Sequence, residues 1–309
     1  MTILISHKPP NVSIGGQESE EPMKINFTKM HGLGNDFIVI DCRSKNIKGL
    51  PGLVKKLSDR HFGIGFDQAL ILLLSRKADF RMDIYNADGG KVEMCGNGIR
   101  CLAKYIWDRK LSRKNVMAIE TPAGIIKPRK VGSLVQVDMG EPLLEAKDIP
   151  VNLSGKVIKY PLKIDGREVS SHIPHPTSHI PFFEITCVSM GNPHCVIFVD
   201  NVDKLPVSRY GPLIENNPIF PKRTNVEFIQ VINKKRLKMR VWERGSGETL
   251  ACGTGACAAT VAANLNNLAD RKVTIHLAGG DLRVEWSKND NHVYMTGPAV
   301  EVFEGVINL

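Results

Sequence analysis

The chain carries one arrangement of motifs twice, and this internal repeat constrains its fold more than any other feature. KMHGLGNDFIVID in the first half corresponds to SMGNPHCVIFVD in the second, and each has a turn with Gly and Asn before an apolar strand that ends in Asp. MCGNGIRCLA and ACGTGACAA follow in the same order. Cys95 lies 60 residues after Asn35, and Cys252 lies 60 residues after Asn192. Matched motifs at a fixed spacing predict two related halves.

The segments around the two cysteines predict strands before them and helices after them. DFRMDIYN ends nine residues before Cys95 and RLKMRVWE ends nine residues before Cys252, and their alternation of apolar and polar residues is typical of half-buried strands. After each cysteine a Gly-rich turn leads into apolar residues at helical spacing, which predicts an α/β chain. The predicted strands are 37–41, 69–74, 80–86, 116–120, 133–139, 184–189, 195–200, 225–231, 236–243, 273–277, 282–287 and 292–296.

Length and charge limit the classes of protein to consider. A chain of 309 residues is long enough for one large domain or two of ordinary size. The net charge is +9, but only 6% of residues are aromatic and no basic run is interleaved with aromatics, so a solvated basic surface is favoured over nucleic-acid binding. Positive potential of this kind helps to attract an anionic small molecule. No stretch approaches the ~20 apolar residues of a membrane helix, so we expect no membrane partner.

The first 23 residues are expected to be a disordered tail. They contain no long apolar run and include Glu18, Glu20 and Glu21, which argues against a secretory signal and against a transit peptide. Strand-like sequence follows Met23 at once, so Met23 is an alternative start. A cytoplasmic location is expected.

Cysteine and histidine are both present, but their patterns favour neither a disulfide framework nor a metal site. The seven cysteines are odd in number and form no C-x-x-C pair, so packing or catalysis explains each of them. Packing is expected for Cys42, Cys101, Cys187, Cys195 and Cys257. Segment 142–183 is rich in Pro and polar residues and is predicted to join the halves. Its His172, His175 and His179 alternate with prolines in SHIPHPTSH, which favours an exposed loop over a metal site.

The two C-G-x-G turns predict a site for a carboxylate. Glycines let a ligand approach the backbone, and a helix N-terminus presents free N–H groups and partial positive charge. The same position favours the thiolate form of a cysteine. Two such turns at symmetry-related positions predict one site with a thiol on each face of an α-carbon. That arrangement suits inversion of a stereocentre, in which one thiolate removes the α-proton and the other thiol returns one, without pyridoxal phosphate.

Seven motifs together resemble the diaminopimelate epimerase family: MHGLGNDFIVID, GFDQ, YNADGGKVEMCGNGIRCLA, GNPH, TNVEF, ERGSGETLACGTGACA and MTGPA. They extend over nearly the whole chain after the tail. The resemblance implies a cofactor-independent isomerase that interconverts LL- and meso-diaminopimelate in lysine and peptidoglycan-precursor biosynthesis. It also implies a homodimer whose small-molecule substrate is diaminopimelate.

The resemblance implies a fold and domain boundaries as well. The fold is α/β of the α+β type, with two pseudo-symmetric domains that each wrap a mostly antiparallel sheet around a central helix. The N-terminal half is expected to comprise 24–139 together with 298–309, and the C-terminal half 140–297. Segment 152–185 is longer than the family pattern leads us to expect.

By the same resemblance, Cys95 and Cys252 are the two acid/base residues. His194 and Glu243 match positions that adjust the pKa values of the cysteines. Arg244 suits a bidentate grip on the distal carboxylate of the substrate. The positions that match substrate-binding residues are Asn35, Gln68, Asn86, Gly96, Asn97, Asn192, Asn225, Glu243, Arg244, Gly253 and Thr254.

Other functions remain open at this point. A proline racemase or hydroxyproline epimerase shares the two-thiol chemistry, but Glu243 and Arg244 suit a substrate with a charged distal end better than a ring. A relative of the fold without catalysis, or a redox sensor that joins Cys95 to Cys252, are alternatives of other classes.

Oxidation is expected to join Cys95 and Cys252 in a disulfide and to inactivate the protein, because both thiols must face one α-carbon. Mass mapping of the oxidised, inactive protein should recover a pair of peptides, one with Cys95 and one with Cys252, joined by the disulfide. Recovery of both thiols in the free form from inactive protein would contradict this expectation.

Overall fold

The computed structural model describes residues 2–5, 24–93, 95–164 and 182–308. The chain falls into two compact units. Unit 1 comprises Met1–Val135 and Pro298–Leu309, and unit 2 comprises Gln136–Gly297. The first boundary therefore lies a few residues before the end of the N-terminal half proposed from the sequence.

The described residues form twenty strands, four α-helices and one 3-10 helix, joined by turns and loops. The elements up to the unit boundary are β1 (Thr2–Ile5), β2 (Lys24–Gly32), β3 (Asn35–Asp41), α1 (Leu50–Ser58), β4 (Gln68–Leu73), β5 (Phe80–Asn86), β6 (Lys91–Val92), α2 (Gly96–Asp108), β7 (Ile119–Thr121), β8 (Gly124–Ile126), β9 (Arg129–Val131) and β10 (Leu134–Asp138). The others are the 3-10 helix Ala146–Asp148, β11 (Tyr160–Lys163), β12 (Phe182–Ser189), β13 (Pro193–Phe198), α3 (Val207–Glu215), β14 (Asn225–Asn233), β15 (Arg236–Glu243), β16 (Gly247–Thr249), α4 (Gly253–Leu265), β17 (Lys272–Leu277), β18 (Gly280–Trp286), β19 (Val293–Gly297) and β20 (Val300–Asn308).

The two sheets share one sequence of strand pairings. The sheet of unit 1 has the order β1-β20-β2-β3-β4-β5-β7-β8, with β6 beside β5. The second sheet has the order β11-β12-β13-β14-β15-β17-β18-β19-β10, with β16 beside β15 and β9 as the hairpin partner of β10. In both, a parallel pair (β3–β4, β13–β14) is followed by an antiparallel pair (β4–β5, β14–β15) and another parallel pair (β5–β7, β15–β17). The repeat in the sequence is therefore a repeat of topology.

Each sheet packs around one buried helix, as the family resemblance implies. In α2 the apolar residues Ile99, Leu102 and Ile106 are fully buried, and the helix packs on β2, β3, β4 and β20. In α4 the buried residues are small, mainly Ala, and the helix packs on β12, β13, β14 and β17 to β19. Burial of a side chain of the size of Ile or Leu, as in α2, contributes about 1.5–3 kcal/mol. Residues in the left-handed conformation, Lys110 and Asn267, end the two helices.

The predicted fold class is confirmed, and the helices after both cysteines are where the sequence places them. Helices α1 and α3 were not predicted because each nine-residue helix contains a Gly and a Pro, which interrupt the apolar periodicity. Seven strands were also missed: β1, β6, β8, β9, β11, β16 and β20. The predicted strand 116–120 is reduced to Ile119–Thr121.

The tail prediction is wrong for residues 2–5. The strand Thr2–Ile5 lies parallel to β20 and adds an edge to the sheet of unit 1. The other residues of the predicted tail lie outside the described residues, and so does the histidine segment SHIPHPTSH.

The turn between β2 and β3 sets the position of Asn35. Gly32 pairs with Asn35 across a two-residue turn in which Leu33 and Gly34 both have positive φ. Such a turn matches the twist of a two-stranded ribbon, although the left-handed conformation of Leu33 costs about 1–2 kcal/mol. Because Leu33 is 4% exposed, its burial offsets that cost.

An ion cluster fixes the residue after Asn35. The Asp36 carboxylate accepts hydrogen bonds from Lys29 Nζ at 2.6 Å and from Arg60 Nη2 at 2.8 Å, while Lys29 also donates to the Gly65 carbonyl. Burial raises the pKa of Asp36, but the bonds from Arg60 and Lys29 outweigh it and lower the pKa to about 2. The cluster therefore stabilises the folded state when Asp36 is ionised.

Asp36→Asn should reduce the free energy of unfolding by about 2 kcal/mol at pH 7, as expected for a carboxyl whose pKa falls from 3.8 to about 2 on folding. Since the folded-state pKa is depressed, this contribution is complete above about pH 5 and is lost as the pH falls through 2. Calorimetry of both proteins from pH 7 to pH 3 should show the difference shrinking by about half.

Asp203→Asn is the matched control. Asp203 pairs with Lys238 but is 60% exposed, so its removal should cost less than about 1 kcal/mol. A difference between wild type and Asp36→Asn that stays constant over this pH range would contradict the role of the ion cluster.

Candidate active site

In unit 1, Cys95 is the N-cap of α2. Its backbone is extended, and its Sγ accepts a hydrogen bond from Gly98 N at 3.4 Å. Sulfur thus takes the place of the side-chain oxygen that usually caps a helix. Gly96 and Asn97 occupy the next two positions, where no carbonyl of the helix can accept their N–H groups. Those donors are placed to bind an anion beside the sulfur.

Asn35 faces Cys95 with its amide oxygen. Oδ1 accepts from Cys95 Sγ at 3.8 Å and from Asn97 Nδ2 at 3.2 Å. The other end of the amide is held because Nδ2 donates to Asp67 Oδ2 at 2.8 Å. Asp67 therefore determines which end of the Asn35 amide points at the sulfur.

Gln68 and Asn86 form a separate pair in the same unit. They lie opposite each other where β4 begins and β5 ends, and Gln68 Nε2 donates to Asn86 Oδ1 at 2.8 Å. Six of the site residues proposed from the sequence thus lie in unit 1: Asn35, Gln68, Asn86, Cys95, Gly96 and Asn97.

In unit 2, Cys252 is the N-cap of α4 in the same way. Sγ accepts from Gly255 N at 3.4 Å and lies 3.5 Å from Thr254 Oγ1. The sequence predicts a lowered pKa here, but the net direction is upward. Burial raises the pKa of Cys252 well above its usual range, and Glu243 and Glu227 raise it further, whereas the bonds from Thr254 and Gly255 lower it. The helix terminus is thus opposed by desolvation of a 5% exposed side chain.

His194 does not contact Cys252 directly. Its Nδ1 lies 2.7 Å from Glu227 Oε1, and its Nε2 lies 2.9 Å from Asn192 Oδ1. Asn192 Nδ2 in turn donates to Thr254 Oγ1 at 3.4 Å. Asn192 and Thr254 therefore connect His194 to the thiol through hydrogen bonds.

Asn225 begins β14, Glu243 ends β15, and Arg244 follows Glu243 in the chain. Asn225 pairs with His194 across β13 and β14, and its Oδ1 accepts from Arg244 N at 3.0 Å. The Arg244 guanidinium is exposed and donates to the Lys222 carbonyl. Unit 2 thus contains the other eight proposed residues: Asn192, His194, Asn225, Glu243, Arg244, Cys252, Gly253 and Thr254.

Three residues that sequence reasoning passed over hold these side chains in place. Asp67 orients Asn35, Glu227 holds His194, and Thr249 donates its hydroxyl to Glu243 Oε1. Asp67 and Glu227 stand inside the motifs GFDQ and TNVEF. For Glu227, the available signal was a charged residue inside the otherwise buried first half of strand β14.

The remaining cysteines are all buried, in agreement with a packing role. Burial raises the pKa of Cys101 to about 12. Among the described residues no three His, Cys, Asp or Glu side chains form a group that could hold a metal ion. None of the described helices is both long and apolar enough to span a membrane.

Gly255→Ala should destabilise the protein by about 1–3 kcal/mol, as overpacking of a core does. A Cβ at this position would lie 2.7 Å from Glu227 Oε1, which is held by His194. The matched control is Gly98→Ala, where the nearest atom is a methyl group of Leu70 at 3.0 Å. That change should cost less than about 1 kcal/mol, because Ala also favours the helix. Thermal unfolding of both variants measures their losses of stability. Equal losses would contradict the expectation that Gly255→Ala is the more destabilising change.

Comparison with known proteins agrees with this geometry. A model of the family described as diaminopimelate epimerase matches residues 27–145 and 186–302. The diaminopimelate epimerase of Acetivibrio thermocellus is 52% identical over 290 residues, with 92% of this chain and 98% of that relative covered. That of Moorella thermoacetica is 52% identical over 288 residues, with 91% and 98% covered.

A solved structure shows a similar fold at low sequence identity. The hydroxyproline epimerase of Agrobacterium vitis, with bound trans-4-hydroxy-L-proline, superimposes with a TM-score of 0.64 at 13% identity and covers 93% of both chains. Membership of the family follows from two findings: relatives about 50% identical in sequence, and a family match over most of the chain. The chain belongs to the diaminopimelate epimerase family.

Proposed function

We propose that this protein interconverts LL- and meso-diaminopimelate without a cofactor, with Cys95 and Cys252 as the two acid/base residues. One observation carries the proposal: in each of two units of like topology, a cysteine sulfur caps the N-terminus of the central helix. Inversion of an α-carbon needs one group to take a proton and another to return one from the opposite face. Two thiols at equivalent positions of the repeat meet that need.

The reaction is balanced in protons. The thiolate of one cysteine takes the α-proton and becomes a thiol, the substrate passes through a carbanion-like state, and the thiol of the other cysteine protonates the α-carbon and becomes a thiolate. In the reverse direction the two exchange roles. The main barrier is the weak acidity of the α-proton, so stabilisation of the developing negative charge is the principal task of the protein.

The N–H groups at the two helix starts supply that stabilisation. We assign Gly96 and Asn97 in α2 and Gly253 and Thr254 in α4 to the reacting carboxylate. These donors are fixed before the reaction, and the helix termini add partial positive charge. Removal of one such donor in other enzymes typically costs 10²–10³ in rate.

The distal end of the substrate is assigned to the polar groups of the strand ends. Exposed Arg244 suits a carboxylate, and Glu243 suits an ammonium group. The amides Asn35, Gln68, Asn86, Asn192 and Asn225 complete the set of assigned residues. A substrate with charge at both ends fits this set better than a proline ring.

Opposing effects on Cys252 suit a group that serves as both acid and base. Burial and Glu243 favour its thiol, whereas the bonds from Thr254 and Gly255 favour its thiolate. We further propose that the enzyme works as a cytoplasmic homodimer in lysine and peptidoglycan-precursor biosynthesis, with diaminopimelate as its small-molecule partner and neither nucleic acid nor membrane.

Reduced protein incubated in D2O with LL-diaminopimelate should lose the substrate's α-proton signal and form the meso isomer without added cofactor. Proton NMR and chiral chromatography measure the two changes. L-Proline, incubated separately, should show no exchange. Exchange with proline alone would assign a proline-type racemase, and exchange with neither substrate while both thiols are free would contradict epimerase activity.

The variants Cys95→Ser and Cys252→Ser are the matched controls. A serine hydroxyl is too weak an acid to supply the base at neutral pH, so epimerisation should fall by about a thousandfold or more in each. Near-normal turnover in either variant would contradict the two-thiol mechanism.

A further inference from the structure

The buried pair formed by His194 and Glu227 has no part in the mechanism above. Both side chains are 0% exposed, and Nδ1 of His194 lies 2.7 Å from Oε1 of Glu227. A charged group in such surroundings is kept only when it is paired. His194 is hydrogen-bonded to Asn192, Asn192 donates to Thr254, and Thr254 lies beside Cys252. The pair is therefore linked to Cys252.

The pair must share one proton. An ionised Glu227 beside a neutral His194 would leave an uncompensated negative charge in a dry interior, which is costly. Oε2 of Glu227 has no hydrogen-bond partner among the described residues, and burial raises the pKa of Glu227. Either the carboxyl donates to His194 Nδ1 or the imidazolium donates to the carboxylate, and in both cases Nε2 carries hydrogen.

That hydrogen sets the direction of the whole chain of bonds. Nε2–H donates to Asn192 Oδ1, so the amide nitrogen of Asn192 must point the other way, toward Thr254 Oγ1. The Thr254 hydroxyl is thus an acceptor toward Asn192, and its own hydrogen is available to Cys252 Sγ at 3.5 Å. We call these five residues, Glu227, His194, Asn192, Thr254 and Cys252, the Cys252 chain.

We propose that Glu227 is a positioning residue for Cys252: it keeps hydrogen on His194 Nε2, and through the Cys252 chain this directs the Thr254 hydroxyl hydrogen at the sulfur. A donor aimed at sulfur stabilises the thiolate. Glu227 thereby counters part of the burial that favours the thiol.

The first half of the repeat lacks this device. The residues of unit 1 that correspond to His194 and Glu227 are Phe37 and Leu70, each 157 residues earlier, as Cys95 is from Cys252. Both are fully buried and apolar. There an acceptor, Asn35 Oδ1, faces the sulfur of Cys95. Beyond the helix N–H that each sulfur accepts, the two thiols therefore meet side-chain partners of opposite polarity.

Gly255 makes room for the pair. A Cβ at this position would lie 2.7 Å from Glu227 Oε1, so the second glycine of CGTG is required by the carboxyl as well as by the turn. The titratable groups that face Glu227 and Cys252 are His194 and Cys195 from β13 and Glu243 from β15. Of these, His194 alone links Glu227 to the hydroxyl of Thr254.

The test compares Glu227→Gln with Glu227→Leu. Gln keeps the shape and an N–H that can donate to His194 Nδ1, whereas Leu copies Leu70 of unit 1 and cannot donate. Two readouts are followed: the 15N spectra of the His194 ring, assigned by loss of the signal in His194→Gln, and the pH profile of kcat/KM for diaminopimelate. The second readout rests on the proposed function, and the first does not.

Wild type and Glu227→Gln should keep Nε2 protonated from pH 6 to pH 9 and should share one pH profile. In Glu227→Leu the ring should show a mixture of tautomers. In the direction of epimerisation in which Cys252 is the base, the midpoint of the acid limb should rise by about one pH unit. The corresponding loss of kcat/KM is about tenfold at pH 7 and recovers as the pH rises, because loss of the donor raises the pKa of the thiol.

Thr254→Val provides a second route to the same measurement, independent of how Glu227→Leu folds. It removes the hydroxyl and should move the midpoint in the same direction, and the double variant Glu227→Leu/Thr254→Val should move it no further. An unmoved midpoint, a loss that is equal at every pH, or full additivity of the two changes would overturn the role of Glu227. Absence of exchange in wild type would instead overturn the proposed function.

Discussion

The hydrogen bond from a helix N–H to a cysteine sulfur is the interaction on which the rest of this structure depends. Cys95 accepts from Gly98 and Cys252 accepts from Gly255, both at 3.4 Å. The bond fixes each sulfur at the positive end of a central helix and leaves the two preceding N–H groups for a ligand. Each helix is largely buried against the strands of its sheet, and this packing fixes the position of its N-terminus. The packing therefore positions the groups that take part in the chemistry.

The repeat explains why two equivalent thiols exist, and the departures from the repeat explain how they differ. Both units use a turn with positive φ to place an asparagine before a strand, and both place that asparagine within reach of the helix start. Behind the asparagine the halves diverge. Unit 1 has the apolar residues Phe37 and Leu70, and unit 2 has the buried pair His194 and Glu227. A duplicated scaffold has thus acquired different electrostatics on its two sides.

Desolvation is the opposing force throughout the site. It raises the pKa of Cys252, of Glu227, and of the buried Cys101 and Cys195. The same exclusion of water strengthens each hydrogen bond that the site makes. Where a charged group is buried, a partner is present: Lys29 for Asp36, and His194 for Glu227. The cost of burial is therefore the reason that these charged groups are paired.

The sequence by itself determined the two-fold repeat, the helices after Cys95 and Cys252, most strands and the family, because these depend on local periodicity and on motifs that are contiguous in the chain. Helices α1 and α3 escaped since Gly and Pro obscure their spacing. Only the tertiary structure placed Asp67 behind Asn35 and Glu227 behind His194, and only it reversed the expected pKa shift of Cys252. The two placements depend on partners more than 30 residues apart in sequence, and the pKa shift depends on burial. No local pattern records either of them.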